Sequence, residues 1–151
     1  MENVLSVRLA VTSECSALEA LQRRASLRNP GDRAALLANP GAIVMPPEQI
    51  AAGQVFVAER DAAIVGFAAV LPRADGDTEL DGLFVEPEIW KSGIGRALVE
   101  RCCVWARANG AAALHVIGNP HATGFYEACG FKITGTHHTQ FKPALRMRKD
   151  L

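Results

Sequence analysis

The stretch from residue 85 to residue 98 constrains the fold of this chain more than any other. An apolar strand ends near Val85, a short loop follows, and Gly93 and Gly95 open a long amphipathic helix. Glycines let the backbone pass close to a ligand, and the N–H groups of a helix's first turn point outward together. The positive end of the helix dipole makes this an anion site suited to a phosphate or pyrophosphate. Many α/β proteins use such a turn only to pack a helix on a sheet, so this feature alone leaves both interpretations open.

Two familiar phosphate loops do not fit this stretch. A dinucleotide fingerprint requires a glycine or alanine at the position of Leu98. Its first glycine also lies in the tight turn directly after the strand, whereas Gly93 is eight residues beyond Val85. A nucleotide-triphosphate loop requires Gly-Lys-Ser or Gly-Lys-Thr, which the sequence lacks. A phosphate at this junction would therefore be bound by another scheme.

Length and composition are those of an ordinary globular protein. The 151 residues are 49% hydrophobic and 21% charged, which predicts a single domain over residues 1–151. Lysine plus arginine and aspartate plus glutamate both number 16, so net charge gives no argument for a nucleic acid or membrane partner. The N-terminus shows no basic region followed by an apolar core, so we expect no signal peptide and a cytoplasmic location.

The four cysteines show no spacing typical of a metal or redox site. Cys102 and Cys103 are adjacent on a predicted helix, so their side chains diverge. We expect all four cysteines to be small, buried, apolar residues of a protein in a reducing compartment, with no metal bound.

Periodicity and turn residues predict a mixed order of helices and strands. The N-terminal half is predicted to begin with a strand over 6–9 and a helix from a Thr12 or Ser13 cap to about residue 28. A short helix over 33–38 and a helical turn at Pro46-Pro47 are predicted next, followed by an antiparallel three-stranded meander over 54–85. The remainder is predicted to contain a helix over 92–109, a strand over 114–117 parallel to the strand over 80–85, a helix over 122–128, and a hairpin of strands 131–138 and 145–148.

This order of elements resembles the GNAT superfamily, the acetyl-coenzyme-A-dependent N-acetyltransferases. Two motifs carry the resemblance. Residues 90–95 are similar to the family's Gln/Arg-x-x-Gly-x-Gly/Ala, with Trp90 in place of Gln or Arg, and residues 119–131 are similar to Asn-x-x-Ala-x-x-x-Tyr-Glu-x-x-Gly-Phe. The resemblance covers 54–151 well and earlier residues only by the order of elements. It implies an α/β fold with a mixed, mostly antiparallel sheet, in which strands 4 and 5 splay apart between flanking helices.

The resemblance also implies acetyl-coenzyme A as cosubstrate, bound mainly by backbone groups. Pantetheine would pair with the strand residues Leu83, Phe84 and Val85. The pyrophosphate would face the amides of Lys91, Ser92, Gly93, Ile94, Gly95 and Arg96.

Four side chains near the expected cofactor site have two interpretations each. Arg96, like Lys91, would add charge beside the pyrophosphate or simply be solvated. Asn119 would bond the cofactor arm or a substrate-bound water, or instead cap the turn before Pro120. Trp90 would cover the cofactor or pack under the loop.

For catalysis, the resemblance assigns the general acid to Tyr126, the only tyrosine in the chain. A phenol, with a pKa of about 10, can donate its proton to the departing thiolate. The alternative is a tyrosine that only packs between helix and sheet. A backbone amide near Val85 would bind the oxyanion.

The general base is less determined. Glu79 matches by position the catalytic glutamate of the family's histone-modifying branch, and Asp81 is expected on the same strand face about 7 Å away. A water molecule could instead deprotonate the amine, with the carboxylates only attracting the ammonium group.

The sequence therefore predicts an enzyme that moves acetyl directly from acetyl-coenzyme A to a primary amine, with a small-molecule acceptor of unknown identity. The alternative is a non-catalytic acyl-coenzyme A sensor or regulatory module of the same fold. Neither a nucleic acid nor a membrane partner is expected, and a homodimer through the final hairpin stays open.

Overall fold

The computed structural model of the chain describes residues 4–90, 92–138 and 143–151. The strands are β1 (Leu5–Leu9), β2 (Val55–Arg60), β3 (Ala63–Pro72), β4 (Thr78–Val85), β5 (Ala113–Gly118), β6 (Lys132–His138) and β7 (Pro143–Asp150). The helices are α1 (Cys15–Arg28), α2 (Pro30–Ala38), α3 (Pro47–Ala51), α4 (Ile94–Ala108) and α5 (Thr123–Ala128), with 3-10 turns at Thr12–Glu14, Pro87–Ile89 and Pro120–Ala122.

The seven strands form one sheet in the order β1-β2-β3-β4-β5-β7-β6. Within the described residues, only the β4–β5 pair is parallel, because α4 carries the chain across one sheet face between these two strands. The other pairs are antiparallel, including the predicted meander β2-β3-β4. The predicted α/β fold class, with its mixed and mostly antiparallel sheet, is thus confirmed.

Strand alternation divides the core between the two faces of the sheet. On β2, Phe56 and Ala58 join a cluster with residues of α4, while Val55 and Val57 join a second cluster with Leu18 of α1. All four β2 side chains are fully buried. This burial on both faces explains why the central strands read as continuous apolar runs.

Strand β4 carries a bulge where it leaves β5. Residues Gly82 and Leu80 face consecutive residues of β3, which makes Asp81 the extra residue. The parallel register with β5 runs only as far as Leu80 opposite Val116. A bulge bends its strand and interrupts pairing, so β4 and β5 part beyond this point, as the splayed-strand expectation requires.

Two predicted helix starts are wrong. Thr12 and Ser13 do not cap α1; they lie in a 3-10 turn where the Glu14 carboxylate accepts the backbone N–H of Val11 at 2.8 Å. Helix α2 begins at Pro30 rather than near Arg33, because proline is well suited to the first turn of a helix. Within the described ranges, no helix is long and apolar enough to cross a membrane.

Candidate active site

The start of α4 supplies an outward-facing set of backbone amides. Gly93 adopts φ 87°, a left-handed conformation that favours glycine, and it precedes the first helical residue, Ile94. The intrahelical ladder begins with Ala97 N–H donating to the Gly93 carbonyl at 3.1 Å. Earlier amides of the first turn therefore have no helical acceptor, and they can face an anion.

The loop before this helix is fixed by its own hydrogen bonds. The hydroxyl of Ser92 donates to the Ile89 carbonyl at 2.6 Å, and the indole Nε1 of Trp90 donates to the Val85 carbonyl at 2.8 Å. The Trp90 side chain is 46% exposed, so it does not pack beneath the loop. Arg96 is exposed on the first turn of α4, whereas Lys91 lies outside the described residues.

Phe125 crosses the first turn of α4 at Gly95. A Cβ atom placed on Gly95 would lie 3.0 Å from two ring carbons of Phe125, so this close approach depends on the missing side chain. Phe125 is also 37% exposed although it is aromatic. No sequence pattern marks Phe125 as a site residue, because its contact with Gly95 depends on the packing of α5 beside α4.

The gap between β4 and β5 begins next to this helix start. Leu83, Phe84 and Val85 pair with β3 on one side, but the described register with β5 stops before them. Their other backbone edge pairs with no strand among the described residues, and on it the Val85 carbonyl accepts the Trp90 indole N–H. An extended ligand can add to such a sheet edge as a further strand does.

Tyr126 lies at the β5 side of the gap. Its ring packs edge-on against Phe125 and Phe131, with ring centroids 5.2 and 5.5 Å away. The ring also covers Gly118, the last residue of β5: a Cβ atom placed on Gly118 would lie 3.1 and 3.3 Å from two of its carbons. Burial, with a smaller contribution from Cys129, raises the pKa of Tyr126 to about 12. The phenol is therefore protonated throughout the physiological range.

The Tyr126 hydroxyl is not sealed in the core. Within the described ranges it makes no hydrogen bond, and Arg60 Nε is the only fully buried side-chain nitrogen or oxygen there without a partner. The hydroxyl thus keeps access to solvent, and a ligand in the gap could accept its proton.

The two candidate carboxylates differ in their surroundings. Glu79 lies on the paired part of β4, opposite His115, and its Oε2 accepts from Arg73 Nη1 at 2.9 Å. Asp81 occupies the bulge, is exposed, and lines a cleft of about 200 Å³ on the α1 and α3 side of the sheet. The bulge makes Asp81 an extra residue in β4, two positions after Glu79.

Asn119 follows β5 and makes two side-chain hydrogen bonds. Its Oδ1 accepts the backbone N–H of His121 at 2.9 Å, which caps the 3-10 turn at Pro120 and confirms the capping interpretation. Its Nδ2 donates to Asn29 Oδ1 at 3.2 Å, which ties this end of β5 to the α1–α2 junction.

A second polar cluster lies at the closed end of the β4–β5 pair. Asp77 Oδ2 contacts His115 Nε2 at 2.8 Å, and Asp77 Oδ1 accepts the amides of Ala112 and Ala113. The His115 contact lowers the pKa of Asp77. This cluster joins the turn before β4 to the loop before β5 and so holds the paired end closed while the other end opens.

No cysteine is in a disulfide, and Cys102, Cys103 and Cys129 are buried as predicted, whereas Cys15 is half-buried. Burial raises the pKa of Cys102 to about 12 and also raises the pKa values of Cys103 and Cys129. These three thiols are therefore poor nucleophiles at neutral pH.

A family model decides the affiliation of the chain. The model described as "Acetyltransferase (GNAT) family" matches residues 24–131, a stretch that contains the α4 glycines, the β4–β5 gap and Tyr126. The chain belongs to the GNAT acetyltransferase family.

Solved GNAT structures share the fold over essentially the whole chain. A GCN5-related N-acetyltransferase of Rhodopseudomonas palustris superimposes with a TM-score of 0.81 at 19% identity, covering 100% of this chain and 99% of that one. The PaiA N-acetyltransferase of Thermoplasma acidophilum, solved in complex with coenzyme A, gives 0.78 at 16% identity and covers 98% and 99%. At these identities the likeness concerns the fold alone.

A closer sequence relative matches only part of this GNAT chain. It is an amino-acid acetyltransferase of Azotobacter vinelandii, 40% identical over 84 residues. The match covers 55% of this chain and 19% of the relative, so the chain spans about a fifth of that protein.

Proposed function

We propose that this protein is an N-acetyltransferase that moves the acetyl group of acetyl-coenzyme A directly to a primary amine. The observation that carries the proposal is the convergence of three features: the glycine-opened start of α4, the gap between β4 and β5, and the Tyr126 phenol beside that gap. Family membership and relatives solved with coenzyme A or acetyl-coenzyme A support this choice of cosubstrate.

The binding site for acetyl-coenzyme A is built mainly from backbone. The amides of Ser92 to Arg96 would face the pyrophosphate, with the Lys91 and Arg96 side chains adding positive charge. The Leu83–Val85 edge that faces the gap would pair with pantetheine, with Trp90 leaving the Val85 carbonyl, which places the thioester in the gap. Asn119 directly follows β5, on the other side of the gap from Leu83–Val85. Its side-chain amide already makes two hydrogen bonds, and it would use its remaining donor or acceptor to contact the cofactor arm or a water.

In the chemical step, the neutral amine nitrogen attacks the thioester carbon, and the carbon–sulfur bond then breaks. A β4 backbone amide near Val85 would bind the oxyanion. Tyr126 would donate its proton to the departing thiolate, which yields coenzyme A with a free thiol. A pKa of about 12 keeps the Tyr126 phenol protonated at neutral pH, as a proton donor must be.

The amine must also lose a proton. Glu79 would accept it, directly or through a water, with its carboxylate held in place by Arg73. A direct transfer needs no acetylated enzyme, in keeping with the raised pKa values of the three buried thiols.

The experiment is to incubate the protein with acetyl-coenzyme A and a panel of primary amines, then measure free thiol and the masses of the acceptors. We expect amine-dependent thiol release with one acetyl group gained by the acceptor. If coenzyme A binds but no amine is acetylated, the protein would instead be an acyl-coenzyme A binding module.

A further inference from the structure

We propose that the cleft beside the β4 bulge binds the acceptor, and that it selects a cationic amine without a carboxylate next to the amino group. Asp81 would hold the ammonium group before transfer. This inference rests on the proposed function and specifies its acceptor class.

The position of Asp81 favours this role. Asp81 is the bulged residue of β4, directly after the last β4–β5 pair, so it lies where the gap begins. Phe84 belongs to the strand segment that borders the gap, and its side chain lines the same cleft. The cleft and the gap therefore meet across β4, and an amine held by Asp81 would lie close to a thioester in the gap.

The availability of Asp81 separates it from Glu79. Glu79 is ion-paired with Arg73, which also contacts Asp75. Across the described ranges, Asp81 makes neither a hydrogen bond nor an ion pair. An exposed, unpaired carboxylate at the mouth of a cleft attracts a cation and repels an anion.

The rest of the cleft fits the organic part of an amine. Phe67 and Phe84 form an aromatic pair with centroids 5.4 Å apart, and Met45 adds an apolar wall. Aromatic faces also attract an ammonium group when it approaches within about 6 Å. Gln22 and Gln49 supply amide groups at the edge.

The charge of the cleft argues against an amino acid. Among the described residues that line this cleft, Asp81 is the charged group. An adjoining cleft of about 260 Å³ shares Gln22 and Phe84 with it and is lined by a second carboxylate, Asp32. An α-carboxylate lies only one carbon from its amino group, so holding that amine at Asp81 would bring two negative charges together. The predicted acceptor class thus differs from that of the amino-acid acetyltransferase to which part of the chain is similar.

Matched acceptor pairs test the proposal because the members of each pair differ only by the α-carboxylate. We would measure kcat/KM for phenethylamine against phenylalanine and for tyramine against tyrosine. We expect each amine to exceed its amino acid by at least roughly tenfold, the order of effect that close like charges produce. In Asp81→Asn this ratio should shrink, mainly through a higher KM for the amine.

The control is Asp61→Asn, which removes the same charge from the β2–β3 turn, where a positive φ of 54° suits asparagine. It should keep the ratio of the unmodified protein. Equal or better use of the amino acids, or an unchanged ratio in Asp81→Asn, would overturn this inference alone. Release with other amines of the panel but with neither member of any pair would also overturn this inference alone, whereas the proposed function fails if no amine of the panel gives release.

Discussion

The indole Nε1 of Trp90 donates a hydrogen bond to the backbone carbonyl of Val85 at 2.8 Å. Val85 is the last residue of β4, on the segment that the proposed function assigns to pantetheine. The half-exposed indole thus uses an acceptor that an incoming ligand strand would need. Binding of coenzyme A should therefore displace Trp90.

Replacement of Trp90 tests this competition. In Trp90→Phe the Val85 carbonyl is free before binding, so we expect coenzyme A to bind about two- to tenfold tighter, the range of one net hydrogen bond. Calorimetry gives the affinity. Tryptophan emission should change on binding to the unmodified protein and not in the variant, where Trp105 remains as the reference. Weaker binding in Trp90→Phe would mean that the indole contacts the cofactor itself.

Gly93→Val tests the pyrophosphate site at the start of α4. Valine is strained at φ 87°, and its side chain would disturb the amides that face the ligand, so we expect loss of measurable coenzyme A binding. Gly110→Val is the matched control, since Gly110 ends the same helix at φ 79°. Urea unfolding should show a similar loss for both variants, about 1–2 kcal/mol. If the folded Gly93 variant binds coenzyme A normally, the pyrophosphate does not lie there.

Tyr126→Phe removes the proposed acid and keeps the ring packed against Phe125 and Phe131. We expect kcat to fall by roughly 10- to 1,000-fold, because the phenol acts only when charge develops on sulfur. Coenzyme A affinity should stay within a few-fold. A kcat equal to that of the unmodified protein would leave Tyr126 with a packing role only.

The same phenol should make stability depend on alkaline pH. Its pKa is about 12 in the folded protein and about 10 in an unfolded chain. The folded state therefore holds the proton more tightly, and the free energy of unfolding should fall as pH rises from about 10 to 12. Because the chain has one tyrosine, tyrosinate absorbance follows this group alone. A native midpoint near 10 would show that burial does not shift the group.

Glu79→Gln tests the proposed base. We expect the largest loss of rate at neutral pH and partial recovery toward the pKa of the amine, since alkaline solution supplies the neutral amine that the base would otherwise generate. Asp81→Asn, which removes a neighbouring charge of the same sign, should act mainly on KM. If both variants lose the same factor at every pH, Glu79 only attracts the cation.

Local signals predict much of the fold. The apolar run of β3 marks a strand buried on both faces, and the Asp61-Ala62 turn joins it to β2 with positive φ at both residues. Other features depend on how strands and loops are placed in the fold, which local sequence patterns do not show. The bulge at Asp81 arises from the register of β4 with β3. Glu79 accepts a hydrogen bond from Arg73, and Trp90 donates one to the carbonyl at the end of β4. The predicted Thr12 or Ser13 cap of α1 is wrong because the Glu14 carboxylate, rather than a hydroxyl, accepts the backbone N–H of Val11 before the helix.

The central claim is direct transfer of acetyl from acetyl-coenzyme A to an amine, and initial-rate kinetics with both substrates varied tests it most directly. Double-reciprocal lines for thiol release should intersect, release should require the amine, and the intact mass of the protein should stay unchanged with acetyl-coenzyme A alone. Parallel lines together with an acetylated protein, or thiol release that ignores the amine, would contradict the account.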